Sequence, residues 1–191
     1  QALLIWFLNH HPVTETWSPF QEAAELGYAG MTATRAVKEL LEFGLFDLDV
    51  RGRAKYLKLA ESRRELWEKA KPYLRTPVMR TLWTYDRRIL DAIGARWAGE
   101  SALAKMTMLN DPPQSVIAIT SDVAEKAKEN GIFFEPRALA DGIAAQVWRY
   151  RPDMDVKAKN VDPLSLWLSL HANQDSRIQI ALDEIEEQFP W

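Results

Sequence analysis

The sequence predicts an α+β protein built in two parts. Three observations carry that prediction. Residues 1–75 read as helices followed by two short alternating segments around a basic turn. Residues 85–191 mix helical and extended patterns. Charge divides along the same line: residues 51–80 hold ten basic side chains against three acids, whereas residues 81–191 hold twelve against seventeen. At about 100–200 residues per domain, 191 residues make one large domain or two small ones. The 47% hydrophobic content supplies apolar material for a core.

Composition also excludes. Without cysteine there is no disulfide framework, zinc knuckle or thiol nucleophile. Three histidines, two of them adjacent (His10, His11), leave little for a metal site. The longest clean apolar run, Ala2–Leu8, is far short of the about 20 residues a bilayer span needs. The reading is therefore a cytoplasmic protein with no membrane partner, no metal and no cofactor. The chain opens at Gln1 rather than Met, so it reads as a piece of a longer protein. A targeting segment upstream would lie outside it.

Ala2–Asn9 is too densely apolar for a surface helix and reads as a buried one. Ser18-Pro19 opens a second helix, Ser as N-cap and Pro at the first helical position, where its missing N–H costs nothing. That helix, Phe20–Leu26, ends at Gly27. A third runs from about Thr32 to Phe43 and stops at Gly44. On a helical wheel Ala33, Val37, Leu40 and Leu41 share one face. Thr32, Arg35, Lys38, Glu39 and Glu42 share the other, with Thr34 at its margin. Leu45–Val50 then alternates Phe46, Leu48 and Val50 with Asp47 and Asp49. Ala54–Ala60 alternates again after Arg51-Gly52-Arg53, which makes a β-hairpin with a basic tip. Helix, helix-turn-helix and basic hairpin, in that order, predict a winged helix-turn-helix.

Met31–Leu45 (Met-Thr-Ala-Thr-Arg-Ala-Val-Lys-Glu-Leu-Leu-Glu-Phe-Gly-Leu) followed by Arg51–Leu59 (Arg-Gly-Arg-Ala-Lys-Tyr-Leu-Lys-Leu) resembles winged-helix transcriptional regulators of the MarR-like type. The resemblance implies that Thr32–Phe43 is a recognition helix, that the Arg-rich hairpin is the wing, and that double-stranded DNA is the partner. Recognition helices offer their N-terminal turns to the major groove, where the helix dipole favours phosphate. Thr32, Thr34, Arg35 and Lys38 on those turns, and Arg51, Arg53 and Lys55 on the wing, are the candidate DNA-binding residues. The small residues around Ala33 depart from the pattern by leaving few large readers on the helix. The competing reading is a protein-interaction module.

Ser62-Arg63-Arg64-Glu65 has the form of a capping box, opening a helix that Pro72 ends or kinks near Lys71. This helix could pack on the first domain, pair with its copy in a homodimer, or bridge to the second half. The domain reading is 1–75 as the winged helix with this helix, 76–84 as linker, and 85–191 as an α+β domain that regulates or binds a partner.

In that second domain, Arg87–Ile93 and Ser101–Leu109 read as helices and Ser115–Thr120 as a buried strand. Asp122–Asn130 reads as a helix capped by Ser121 and stopped by Gly131. The end of Gly142–Tyr150 reads as extended, and helices follow from Asp162-Pro163 to about Leu170 and over Gln174–Phe189. Ala98–Ala104, Val116–Thr120, Val161–Leu170 and Arg177–Glu187 together look like the C-terminal domain of AbiEi-type antitoxins. The resemblance implies a degenerate nucleotidyltransferase-like domain on a repressor of its own operon, with a cognate toxin or other protein as partner.

An active nucleotidyltransferase of that kind follows its Gly-Ser turn with paired carboxylates that hold Mg²⁺. Gly99-Glu100-Ser101 is present, but Ser115–Thr120 has no Asp or Glu. The Asp47/Asp49 and Asp153/Asp155 pairs read as edge and turn charges. Gly99–Leu103 half-resembles a nucleophile elbow without its second Gly. The expectation is a DNA-binding transcriptional regulator that is not an enzyme. The alternatives are a nucleotidyltransferase with an appended winged helix and a non-DNA adaptor.

Overall fold

The computed structural model of the chain describes residues 1–11, 16–92 and 94–191. It is an α+β protein with two small sheets and, among the described residues, eight α-helices. The chain divides into two compact units, Gln1–Arg75 with Pro190–Trp191, and Thr76–Phe189.

The first unit begins with α1 (Ala2–His10), which buries Leu3, Leu4, Ile5, Phe7 and Leu8. A helix apolar nearly all round has to be enclosed. After β1 (Thr16–Trp17) come α2 (Pro19–Glu25) and α3 (Gly30–Glu42). Pro19 does open α2, but the Ser18 side chain makes no capping bond. Helix α3 starts at Gly30, two residues before Thr32, and buries Ala33, Val37 and Leu40. Gly44 follows it at φ +64°, a left-handed conformation open to glycine, and lets the chain turn into the sheet.

Strands β2 (Phe46–Arg51) and β3 (Ala54–Leu59) form an antiparallel hairpin, with Val50 opposite Lys55 and Arg51 opposite Ala54. Gly52, at φ +63°, takes the first position of its two-residue turn. β1 adds to the other side of β3, so the sheet order is β1-β3-β2. Phe7, Trp17 and Phe46 meet as an aromatic triad, with ring centroids 5.0–5.5 Å apart. On β2 the apolar side is buried only at its base, with Phe46 2% exposed, Leu48 45% and Val50 57%, whereas Leu57 of β3, opposite Leu48, is buried.

Helix α4 (Arg63–Ala70) opens with the predicted capping box, in which Ser62 accepts from the Glu65 N–H and Glu65 accepts from the Ser62 N–H. It ends at Ala70 and passes into a 3-10 turn over Lys71–Tyr73 that contains Pro72. Arg63 is 6% exposed and donates to the carbonyls of Leu8 and Pro190. It is one of the ten basic residues of 51–80, but its guanidinium is a tie within this unit rather than part of a charged face.

The second unit holds a mixed sheet of order β4-β7-β6-β5. Its strands are β4 (Val78–Thr84), β5 (Arg96–Trp97), β6 (Val116–Ile119) and β7 (Ile143–Trp148). Strand β7 runs antiparallel to β4 and parallel to β6, which is antiparallel to β5. Residues 76–84, expected to be a linker, are mostly the edge strand β4. Its alternation is broken by a register shift between Val78 and Arg80 and its side chains are largely half-wet, so no period-2 signal survives.

One face of this sheet packs Ile117, Ile119, Ile143, Ala145 and Val147 against Ile89 and against Ala124 and Ala127 of α6 (Ser121–Glu129). The remaining helices are α5 (Gly99–Met106), α7 (Pro163–Leu170) and α8 (Ser176–Gln188), which pack on one another. Three local expectations change. The α6 cap is Thr120, not Ser121, its hydroxyl accepting from the Val123 N–H. α5 ends at Met106 rather than Leu109, and Arg87–Asp91 is a 3-10 turn rather than a helix. The predicted end of that helix at Ile93, and the turn at Pro12 after His10-His11, lie outside the described residues.

Candidate nucleic-acid interface

The seven candidate residues all belong to the first unit, and all are exposed. Four stand on α3, whose buried stripe of Ala33, Val37 and Leu40 turns Thr32, Arg35 and Lys38 outward. The other three sit at the hairpin tip, which the turn at Gly52-Arg53 gathers into a short span.

Their commitments differ. Thr34 is the least available, because its hydroxyl donates to the Gly30 carbonyl at 2.8 Å. The Arg35 guanidinium lies 3.8 Å from the Met31 sulfur. Lys38 pairs with Glu42 one turn later at 3.4 Å, and the side chains are 74% and 60% exposed. Such exposed pairs contribute about 0.3–0.5 kcal/mol, so Lys38 is released cheaply to a stronger anion.

At the tip, Arg51 is held on two sides. It donates from Nε to Asp49 at 2.9 Å, with a second guanidinium nitrogen 2.7 Å from the same carboxylate, and its Cζ stands 5.2 Å from the Tyr56 ring centroid. Arg53 and Lys55 have no ion pair among the described residues. Sequence reasoning missed Asp49 and Tyr56 as the groups that position Arg51. Period-2 alternation does place both opposite the apolar side of their strands, and register adds that Asp49 faces Tyr56 directly.

The first turn of α3 carries no acid and no side-chain cap. Among the described residues, then, no side chain caps its N–H groups, and no acid of that turn offsets the positive end of the helix dipole. Glu39 and Glu42 come later, on the same helix.

Residues that raised enzymatic readings have structural roles. Ser101 is 3% exposed, and its hydroxyl accepts the Val116 N–H at 2.9 Å. Gly99 sits at φ +51°, where a Cβ would lie 2.9 Å from the Val116 side chain, so the Gly-Glu-Ser turn joins α5 closely to β6. Burial pushes the Asp153 pKa up, but hydrogen bonds from Arg151 at 3.0 and 2.8 Å and its charge outweigh that and hold it below the ordinary value. Asp155 instead accepts from the Lys157 N–H. His11 Nε2 stands 2.7 Å from Glu22, and His171 stacks on Trp167.

Among the described residues no group of three or more His, Asp or Glu is placed to hold a metal ion, and no helix is long and apolar enough to cross a membrane. Searches against protein-family models, curated proteins and solved structures return no match.

Proposed function

We propose that this chain is a sequence-specific, double-stranded-DNA-binding transcriptional regulator, a repressor acting on its own operon in the manner of an antitoxin. In this reading the first unit is a winged helix, α3 is its recognition helix and the β2–β3 hairpin its wing. The observation that carries it is the element order α1-β1-α2-α3-β2-β3 with the sheet order β1-β3-β2, combined with exposed cations on the outward face of α3 and at the hairpin tip. The resemblance to MarR-like regulators rests on the same residues. Cations on flexible stems at a hairpin tip reach phosphates without rearranging the core, and an outward Arg on a helix offers a fork suited to guanine.

The second unit is read as non-catalytic, the partner-binding half of the protein. Strand β6, Val-Ile-Ala-Ile, has no carboxylate to hold Mg²⁺ beside the Gly-Glu-Ser turn.

The test is fluorescence anisotropy with a labelled duplex from the region upstream of the protein's own reading frame, against a scrambled duplex of equal length. The reading requires preference for the upstream duplex and affinity that falls steeply with salt. Equal, weak binding to both duplexes refutes it. One observation favours a second reading, a protein-interaction module: Leu48 and Val50 leave an apolar strip exposed on the hairpin. In that case neither duplex binds.

A further inference from the structure

The second unit contains a cleft of about 440 Å³ with no role in the reading above. Half-buried Trp97 gives it an apolar floor, backed by the buried Ile117 across β5 and β6. Arg96, Lys157 and Lys159 surround that floor, against one acid, Asp91. The volume falls in the range of about 300–1,000 Å³ usual for small-molecule sites.

The cations are not neutralised locally. Arg96 donates to two backbone carbonyls, those of Ala95 at 2.8 Å and Val156 at 3.3 Å, rather than to a carboxylate. Its Nε–H is buried and finds no acceptor among the described residues. Asp153 feels the charge of Arg96, but its oxygens are taken by Arg151. Lys157 and Lys159 are exposed and have no ion pair among the described residues. Asp155 accepts the Lys157 backbone N–H. Lys105 lies 4.7 Å from the Trp97 ring centroid and also pairs with Asp111 at 3.5 Å.

We propose that this cleft binds a small organic anion, a carboxylate, sulfonate or phosphate carried on a flat apolar body. The anionic group meets Arg96, Lys157 and Lys159, whose planar fork and two flexible ammonium groups suit a polyoxygen anion. The apolar body covers the half-buried Trp97, which removes apolar surface from water. Neither half of such a ligand suffices by itself, because the cations are solvent-screened and the floor is small.

The probe is 1-anilinonaphthalene-8-sulfonate, with N-phenyl-1-naphthylamine as the same ring system without the charge. Titrated into the full chain, the sulfonate gives saturable fluorescence with one site, and the uncharged amine binds about tenfold more weakly or worse. Lys157→Glu combined with Lys159→Glu weakens the sulfonate about tenfold and leaves the amine unchanged. A ¹⁵N chemical-shift map of the unmutated chain, which needs no variant to fold, moves residues 95–97 and 156–159 with the sulfonate. No saturable binding, equal affinity for both probes, or shifts confined elsewhere overturns the proposal.

Discussion

Arg35 and Lys38 stand on the same exposed face of α3 but in different electrostatic settings. Arg35 lies against the Met31 sulfur and has no ion pair among the described residues, whereas Lys38 carries Glu42 one turn on. Arg35→Ala is expected to cost about 1–3 kcal/mol of preference for the cognate duplex if it forks onto a base edge. Lys38→Ala is expected to lower affinity for cognate and scrambled duplexes alike, as a phosphate contact does. Anisotropy with both duplexes separates the two, and unchanged affinity in both variants removes α3 from the interface. A residue of the second unit gives a pH prediction. Asp175 accepts from the Arg177 side chain and backbone N–H, and these bonds lower its pKa to about 2. A depressed carboxylate stabilises the fold above its unfolded pKa of about 3.9 and loses that contribution as pH falls through the folded value. The cap of α8 therefore loosens between about pH 4 and 2. Carboxyl NMR titration of Asp175 should place its midpoint near 2, and a midpoint near 4 would mean the Arg177 bonds are not formed in solution.

Among the elements, the hairpin should govern salt dependence. Each phosphate neutralised adds about −0.9 to the slope of log K against log salt, so three to five contacts per protomer give roughly −3 to −4.5. Arg51→Ala with Arg53→Ala should flatten the slope by about two units and leave base preference in place. The Asp49 carboxylate bound to Arg51 adds a test specific to this hairpin. Asp49→Asn frees Arg51 and removes a repulsive charge, so it should tighten binding to both duplexes; weaker binding would mean that Asp49 orients Arg51 productively. Helix α4 supplies a stability test. Arg63 enters the core as a charge held by backbone carbonyls, and hydrogen bonds to charged groups contribute about 1.5–3 kcal/mol each. Arg63→Met should lower the denaturation midpoint markedly, and Arg63→Lys should not restore it, because one ammonium lacks the fork that serves two separate carbonyls. Full recovery in the lysine variant would refute that role.

For the whole molecule, the proposed division of labour is DNA contact by the first unit and non-catalytic binding by the second. Purified protein should not transfer a nucleotide from a nucleoside triphosphate in the presence of Mg²⁺. Transfer that survives careful purification and disappears with Ser101→Ala, in a variant that still folds, would restore the enzymatic reading. The control matters because Ser101 also receives the Val116 N–H and its loss leaves that donor unpaired.

Elements whose signals are local can be read directly from the residues. The capping box at Ser62, the stop at Gly44, the buried stripe of α3 and the basic hairpin turn each depend on residues within a few positions of one another. The candidate cations were legible for the same reason, since a helix face and a strand face follow from periodicity. Features that depend on distant neighbours emerge only once the chain has folded. Strands β1 and β5 are two residues long and exist because β3 and β6 offer them backbone partners, while β4 is recognisable only by its pairing with β7. Burial of Arg63, restraint of Arg51 by Asp49 and Tyr56, and the gathering of Arg96, Lys157 and Lys159 around one cleft follow equally from folding. A charge in a sequence states what a side chain can do; its partners and burial, set by residues far along the chain, decide whether it is still free to do it.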